Sequence, residues 1–310
     1  MAIFLGIDTS CYTTSIAAVD GSGQIISDKR TVLTVKKGMR GLRQSDALFL
    51  HTKNLPELVE QAAIDWNEVA AVGVSDAPRR LADSYMPVFL AGLGMARSLA
   101  AALGVPCLRF SHQEGHLRAG LHTMDNIFPD EFYAVHLSGG TTELLSVTRD
   151  GARFRAEIIG GTKDISAGQL IDRVGVRLGL PFPSGKALEQ LSKPEDAEIR
   201  LPVNTDGAYL NLSGLEAACF RLIEQGTSPA GLAHALFKTI AAVLANVLQS
   251  AVSQYGKKPI LIAGGVAANQ IIRETLFGLF ENDIHFASPA YSTDNAVGTA
   301  LLTKEGYDGN

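Results

Sequence analysis

Two stretches of the chain follow one design: Ile7-Asp8-Thr9-Ser10-Cys11-Tyr12-Thr13-Thr14-Ser15-Ile16-Ala17-Ala18-Val19 and Leu137-Ser138-Gly139-Gly140-Thr141-Thr142-Glu143-Leu144-Leu145-Ser146-Val147. Each is an apolar strand, a turn of small hydroxyl or glycine residues, and a second apolar strand. Each then runs into a turn pair, Asp20-Gly21 or Asp150-Gly151. Small residues between two apolar runs fit a β-hairpin, and Asp-Gly fits the reversal that follows. A hairpin that occurs twice points to a duplicated domain.

Outward from the hairpins the pattern is mixed α/β. Short apolar strands are expected at 3–7, 70–74, 132–137 and 259–263. Helical periodicity runs over 55–63, 88–103, 167–180, 231–254 and 271–280. Gly104-Val105-Pro106 and Gly179-Leu180-Pro181 end two of these helices. Strands alternating with helices predict sheets covered by helices. The expected division is a first lobe of residues 1–122 with 293–310 and a second lobe of 123–292. The hinge is expected at 121–132, where Asp, Asn and Pro accumulate, and the segment after Ser292 crosses back to the first lobe.

Composition narrows the function classes. With 310 residues, 46% of them hydrophobic, the chain can build a full core and is not a disordered polymer. A net charge of −5 argues against binding nucleic acid through bulk charge. A few well-placed basic groups would still suffice locally. The run Lys36-Lys37-Gly38-Met39-Arg40-Gly41-Leu42-Arg43 suits either a solvated loop or an RNA contact. Cys11, Cys107 and Cys219 are odd in number and far apart, which fits a reduced, cytoplasmic protein. The first residues enter a strand pattern with no basic leader. No apolar run reaches membrane-spanning length without interruption, so no membrane partner is expected.

Ser111-His112-Gln113-Glu114-Gly115-His116 follows a strand-like segment. On a helix, His112 and His116 share a face, one turn apart. That spacing suits a shared cation, and equally two ordinary histidines. Glu114 falls about 200° around the helix from His112 and cannot join the ligand face. A zincin protease needs Glu next to its first histidine, so a metalloprotease is the weakest reading. Asp294, in Ser292-Thr293-Asp294-Asn295, could complete a metal site or cap a helix. Two histidines and one carboxylate would leave coordination positions open, as in catalytic sites. Ile260-Leu261-Ile262-Ala263-Gly264-Gly265-Val266-Ala267-Ala268-Asn269 reads as strand, Gly-Gly turn and helix start. There Gly265 would admit a ligand to the backbone and Asn269 would hydrogen-bond a ribose or base.

Taken in order, these segments resemble the TsaD family, the tRNA threonylcarbamoyl transferases once called glycoproteases. The matching motifs are Gly6-Ile7-Asp8-Thr9-Ser10-Cys11, His112-x-Glu114-Gly115-His116, Leu137-Ser138-Gly139-Gly140, Asp172, Pro183-x-Gly185, Leu212-Ser213-Gly214-Leu215, Gly264-Gly265-Val266-x-Ala268-Asn269 and Thr293-Asp294-Asn295. The resemblance implies the actin-like ATPase fold of sugar kinases, heat-shock proteins and actin: two duplicated lobes with a nucleotide and metal site in the cleft. It implies iron or zinc on His112, His116 and Asp294. It places phosphate at Ser138, Gly139, Gly140 and Thr141, ribose at Asp172 and Gly185, and adenosine near Gly265 and Asn269. Asp8 and Ser10, in the first hairpin turn, are the candidate catalytic residues. The donor would be a carbamoyl-type adenylate and the acceptor the N6 amine of the adenosine beside the tRNA anticodon. A TsaB-like partner of the same fold, or a second copy of the chain, would complete the assembly.

Three departures stand beside the matches. The family usually reads Cys-Asp-Glu-Thr where this chain has Cys11-Tyr12-Thr13-Thr14, and Ser-Gly-Gly-His-Thr where Thr141 replaces the histidine. Its Gly-Pro-Gly helix entry is here Asp76-Ala77-Pro78-Arg79-Arg80 and a longer segment up to Pro87. A lost acid or base typically costs ~10²–10⁴-fold in rate. The second reading is therefore a catalytically reduced paralogue that binds nucleotide as a scaffold or regulator, and the third a sugar-kinase-like phosphotransferase. Arg79 and Arg80 are expected to form an anion site that the usual members lack.

Overall fold

The computed structural model describes residues 1–10, 12–34, 42–81, 84–122, 124, 128–195 and 199–309. Cys11, most of the basic run at 36–43 and part of the segment read as a hinge lie outside these residues. The chain divides into two compact units. One comprises Met1–Asp125, Arg149–Arg155 and Thr293–Asn310; the other comprises Asn126–Thr148 and Ala156–Ser292.

The first unit opens with three antiparallel strands, β1 (Ile3–Asp8), β2 (Thr13–Asp20) and β3 (Ile25–Val32). It continues through α1 (Gln44–Gln61), β4 (Val69–Ala77), α2 (Phe89–Leu103), β5 (Cys107–Ser111) and α3 (His112–Leu121). Its sheet has the order β3-β2-β1-β4-β5, with β1, β4 and β5 parallel. The second unit repeats this plan with β6 (Glu131–Leu137), β7 (Thr142–Asp150) and β8 (Arg153–Thr162), of which residues 149–155 count with the first unit. Then come α4 (Ala167–Arg177), α5 (Gly185–Leu191), the short strands β9 (Thr205–Asp206) and β10 (Tyr209–Leu210), α6 (Ser213–Glu224) and α7 (Pro229–Tyr255). β11 (Ile260–Ala263), α8 (Gln270–Phe280) and β12 (Ile284–Phe286) complete the sheet, and α9 (Val297–Asp308) belongs to the first unit. The second sheet contains the order β8-β7-β6-β11-β12, the counterpart of β3-β2-β1-β4-β5, with β10 and β9 added at one edge. The duplication expected from the hairpins is thus a duplication of whole sheets.

β1 and β2 are buried throughout, and their side chains alternate between two covered faces of the sheet. Leu5 and Ile7 of β1 join Ile16, Val72 and Val74 in a core closed by Leu55 and Leu58 of α1 and Ala96 and Ala100 of α2. Gly6 points the other way, toward α9. In the second unit α7 is the central helix, burying Leu232, Leu236, Phe237, Ile240, Leu244 and Leu248. α7 is also the one helix among the described residues long and apolar enough to cross a membrane, but 72% of its most apolar window is buried inside the protein. Cys107 and Cys219 are free thiols, and burial pushes the Cys219 thiol up to about 12.

One helix differs from the periodicity reading. α1 begins at Gln44, well before 55, and carries Pro56 inside it. Proline usually marks a first helical turn, but here it lies well inside the helix. The Gly264-Gly265 pair leads into a short 3-10 turn, Gly265–Ala268, and the α-helix starts only after Asn269.

Two local devices hold the units together internally. α9 crosses α3 so closely that a Cβ on Gly298 would overlap the carbonyl of Gly115. In the second unit Asp164 links the end of β8 to α6, accepting hydrogen bonds from the main-chain N–H of Leu212 and of Ser213, both at 2.9 Å. Burial opposes the charge on Asp164, but the Ser213 hydroxyl and the N–H groups of Leu212, Ser213 and Ile165 hold its carboxyl well below the ordinary value of 3.8.

Two outcomes follow. Gly298→Ala should destabilise the protein by about 1–3 kcal/mol through overpacking in chemical denaturation. Gly278→Ala, at a site with nothing within 4 Å of an added Cβ, should be neutral or slightly stabilising. The depressed Asp164 carboxyl adds stability that is fully present above pH about 4 and is lost as pH falls further. Asp164→Asn should therefore lower the melting temperature at pH 7, with the difference from wild type shrinking below pH about 4.

Candidate metal and nucleotide sites

Ser111 ends β5 and starts α3 as its cap. Its hydroxyl accepts from the Glu114 N–H, and the Glu114 carboxylate accepts from the Ser111 N–H at 2.7 Å, a complete capping box. Helix geometry then sets His112 and His116 side by side, ring centroids 4.2 Å apart. Asp294 reaches them from the turn before α9. It does not cap that helix: Asn295 accepts the Val297 N–H instead, which leaves the Asp294 carboxylate facing the two rings. Asp294 Oδ1 lies 3.2 Å from His116 Nε2 and 3.6 Å from His112 Nε2.

Behind His112 stands Asp8, only 1% exposed, with Oδ2 at 2.8 Å from His112 Nδ1. An ionised carboxylate only accepts, so Nδ1 carries a proton, and Nε2 is the nitrogen that would serve as a metal ligand. Asp8 Oδ1 accepts from the Ser10 N–H at 2.9 Å. Burial opposes its charge, but the His112 ring, Ser10 and Ser75 outweigh it and hold Asp8 below the usual carboxylate range. Burial likewise disfavours a charged His112, yet Asp8 and Asp294 on its two nitrogens raise it well above the ordinary imidazole range. Asp294, despite burial, is held far down by the two histidines.

These residues fit a divalent cation. The three candidate ligand atoms all lie within 4.8 Å of one another. Metal–ligand bonds of roughly 2.0–2.2 Å place neighbouring ligand atoms roughly 3–4 Å apart. Two imidazoles and a carboxylate are a donor set common to iron and zinc. The Ser10 hydroxyl is buried and has no hydrogen-bond partner among the described residues.

Glu114 faces away from this site, as the helical angle required. Arg80 donates from Nε to Glu114 Oε2 and from Nη1 to Asp76 Oδ1, both at 3.1 Å. Of the three Arg80 guanidinium nitrogens, two are held by internal carboxylates. The Arg79 N–H meets the Ser84 hydroxyl. The longer segment 78–87 is thereby fastened to the start of α3. This link spans 34 residues of sequence, although the Ser-x-x-Glu pattern at 111–114 was the signal that Glu114 is structural.

In the second unit the expected nucleotide residues gather around the turn between β6 and β7. The Ser138 hydroxyl accepts from the N–H of Gly140 at 3.3 Å and of Thr141 at 3.0 Å. α4 begins against this turn: Ser166 donates to the Gly139 carbonyl, and a Cβ on Gly168 would lie 2.5 Å from Gly139 Cα. One turn further along α4, Asp172 accepts from the Ser184 N–H at 2.7 Å, beside Gly185 at the start of α5. Burial raises the Asp172 carboxyl, against the hydrogen bonds of Ser184 and Gly185. Asn269 accepts the Ile272 N–H through Oδ1, while its Nδ2 is buried with no partner among the described residues. The Gly-Gly pair divides its roles. Gly264 has φ of 107° and a Cβ there would overlap Leu137, so it needs to be glycine. Gly265 faces open space. The close approach of backbone to backbone is thus made by Gly264 to Leu137, while Gly265 keeps an open side.

A profile of the TsaD family, described as tRNA N6-adenosine threonylcarbamoyltransferase, matches residues 33–301. The chain is 32% identical over 304 residues to the tRNA N6-adenosine threonylcarbamoyltransferase of Thermus thermophilus, covering 96% of this chain and 90% of that protein. It is 29% identical over 305 residues to a probable bifunctional tRNA threonylcarbamoyladenosine biosynthesis protein of Methanothermobacter thermautotrophicus, spanning 54% of that protein's length. In fold it is similar to component A of the Acidaminococcus fermentans (R)-2-hydroxyglutaryl-CoA dehydratase, with a TM-score of 0.61, 15% identity and coverage of 99% and 100% of the two chains. A ROK family glucokinase from Streptomyces griseus gives a TM-score of 0.54 at 14% identity, with 96% and 98% covered. These likenesses show the actin-like ATPase fold.

Because Asp8 fixes the His112 tautomer, Asp8→Asn should weaken metal binding about 10–100-fold, read by competition with a metal indicator. Unchanged affinity in a folded variant would remove Asp8 from this role.

Proposed function

The chain belongs to the TsaD family, the tRNA N6-adenosine threonylcarbamoyltransferases, and from that premise we propose that it transfers a threonylcarbamoyl group from an adenylate to the N6 amine of the adenosine beside a tRNA anticodon. The observation that carries this reading is the convergence of His112, His116 and Asp294 with Asp8 behind them. His112 and His116 through Nε2, and Asp294 through its carboxylate, would hold iron or zinc. When bound, the cation supplies Lewis-acid chemistry. Asp8 acts as a positioning residue, since its carboxylate is buried and already engaged.

The second unit supplies the adenylate contacts in this reading. The Ser138 hydroxyl stands in for an oxyanion in the turn, accepting the two N–H groups a phosphate oxygen would take. A phosphate arriving there displaces the Ser138 hydroxyl. Space opposite Gly139, Gly140 and Gly265 leaves backbone accessible, and the unpartnered Asn269 amide offers a donor to adenine. Asp172, beside Gly185, keeps a carboxylate for ribose hydroxyls. In the transfer, the acceptor nitrogen bonds to the carbamoyl carbon, the carbon–oxygen bond to phosphate breaks, AMP leaves with that electron pair, and the amine proton passes to solvent.

A second reading has a specific observation behind it. Tyr12, 43% exposed, and the buried Thr13 stand where the family usually has acids, and Thr141 stands for a histidine. A nucleotide-binding scaffold with reduced catalysis would keep the turn and Asn269 without those groups. The cytoplasm as its location, and an actin-fold partner or a second copy, belong to both readings.

Mass spectrometry of tRNA from a strain in which this chain is the only family member separates them. The transferase reading expects threonylcarbamoyladenosine with wild type and its loss with His116→Ala. Absence of the nucleoside with wild type, while purified protein still binds adenine nucleotide, would leave the scaffold.

A further inference from the structure

Three elements of the first unit bring guanidinium groups over two carboxylates. Asp76 and Glu114 are each 3% exposed at their side chains. Arg80 comes from the segment after β4 and bridges the two. Arg109 of β5 donates from Nε to Asp76 Oδ2 at 2.5 Å. Arg153, the first residue of β8, donates from Nη1 to the Arg109 carbonyl at 2.7 Å and lies 3.7 Å from Glu114 Oε1. Its guanidinium stacks on Phe110, 4.7 Å from the ring centroid.

The charges do not balance, because three cations face two anions. The side chains of Arg80, Arg109 and Arg153 remain 40%, 60% and 49% exposed. Arg80 Nη2, both Nη atoms of Arg109, and Nε and Nη2 of Arg153 make no hydrogen bond within the protein among the described residues. Each group is oriented by a buried carboxylate, a carbonyl or a ring, with its remaining N–H donors outward. Such groups lose little side-chain freedom when an oxyanion binds. In a chain of net charge −5 this is a local feature that composition does not supply.

We propose that this arginine face binds the phosphate backbone of RNA. The inference rests on the tRNA-modification reading and adds to it the surface that takes the polymer. Guanidinium forks match phosphate oxygens in pairs. The donors are spread over three elements on an open surface, which suits a chain of phosphates better than one small anion. Glu114 lies between His112 and His116 in sequence but on the other side of α3, so this face and the candidate metal site share one helix. Backbone contacts of this kind position RNA without reading its sequence.

The test uses full-length protein and an unmodified tRNA transcript, with binding titrated from low to moderate salt. Arg109→Gln/Arg153→Gln, with Arg80 kept over the buried carboxylates, should weaken binding roughly 10-fold. It should also lower the slope of log K against log salt by about 1–2, at about 0.7–0.9 per phosphate contact. An unrelated RNA hairpin should be affected equally. Arg109→Lys/Arg153→Lys should keep most of the slope, because the charges remain. In wild type, RNA should protect Arg109 and Arg153 from an arginine-specific dicarbonyl reagent, a readout that needs no variant. RNA binding with unaltered slope in a folded double variant, or without protection in wild type, overturns the proposal and leaves the transferase reading standing. No RNA binding by wild type overturns both. Binding of polyglutamate to this face in preference to RNA marks a protein-docking surface and overturns the proposal as well.

Discussion

The close crossing of α3 and α9 is the constraint on which the first unit depends. At Gly115 and Gly298 the two helix backbones touch with no side chain between them. Gly115 lies between the two histidines, and Gly298 lies four residues beyond Asp294. A helix crossing held at backbone distance therefore sets the separation between imidazoles and carboxylate, which a layer of side chains would widen. The Ser75 and Thr299 hydroxyls, 3.1 Å apart, tie the same crossing to β4.

Electrostatics inside that frame run in two directions from one short helix. One face of α3 turns His112 and His116 toward Asp294 and Asp8, a site rich in negative charge that a cation would complete. The other turns Glu114 toward Arg80 and Arg153, where positive charge is in excess. Ser111 joins the two, since its capping box depends on Glu114 and fixes the helical phase that aims His112. Removing one partner of a buried charged network leaves the other uncompensated, so the two faces are mechanically linked.

Much of this was legible in the sequence where the cause is local. Hairpins announced the duplicated sheets because small turn residues and apolar alternation act within a few positions. The turn at Asp150-Gly151 has its left-handed residue at Gly151, as Asp-Gly implies, whereas after Asp20 the left-handed residue is Gly23. The histidine spacing and Asp294 were visible as types, though nothing in Thr293-Asp294-Asn295 says which residue caps and which faces the rings. Long-range causes were not legible. Pro56 sits within α1 because His51, Leu55 and Leu58 bury against the sheet. The Leu212-Ser213 motif gains its meaning from Asp164, far back in the chain. For Arg80, Asp76 stands four residues earlier in the sequence, but Glu114, its other carboxylate partner, is brought to it only by the fold.

The placement of α9 has a further consequence, for the order of assembly. Its buried Val297, Ala300, Leu301 and Leu302 pack against a sheet whose first strand begins at Ile3, with the entire second unit in between. A ribosome making this chain releases a complete second sheet and its central helix before the residues that close the first unit have been made. Until then the face of β1 and β4 that receives α9 is open, and the histidines have no carboxylate from the far end of the chain. Contacts of such long sequence separation form late and slowly. Asp294, the candidate ligand from this end, is therefore made only after residues 1–293, so a nascent chain lacking it cannot present the full candidate set.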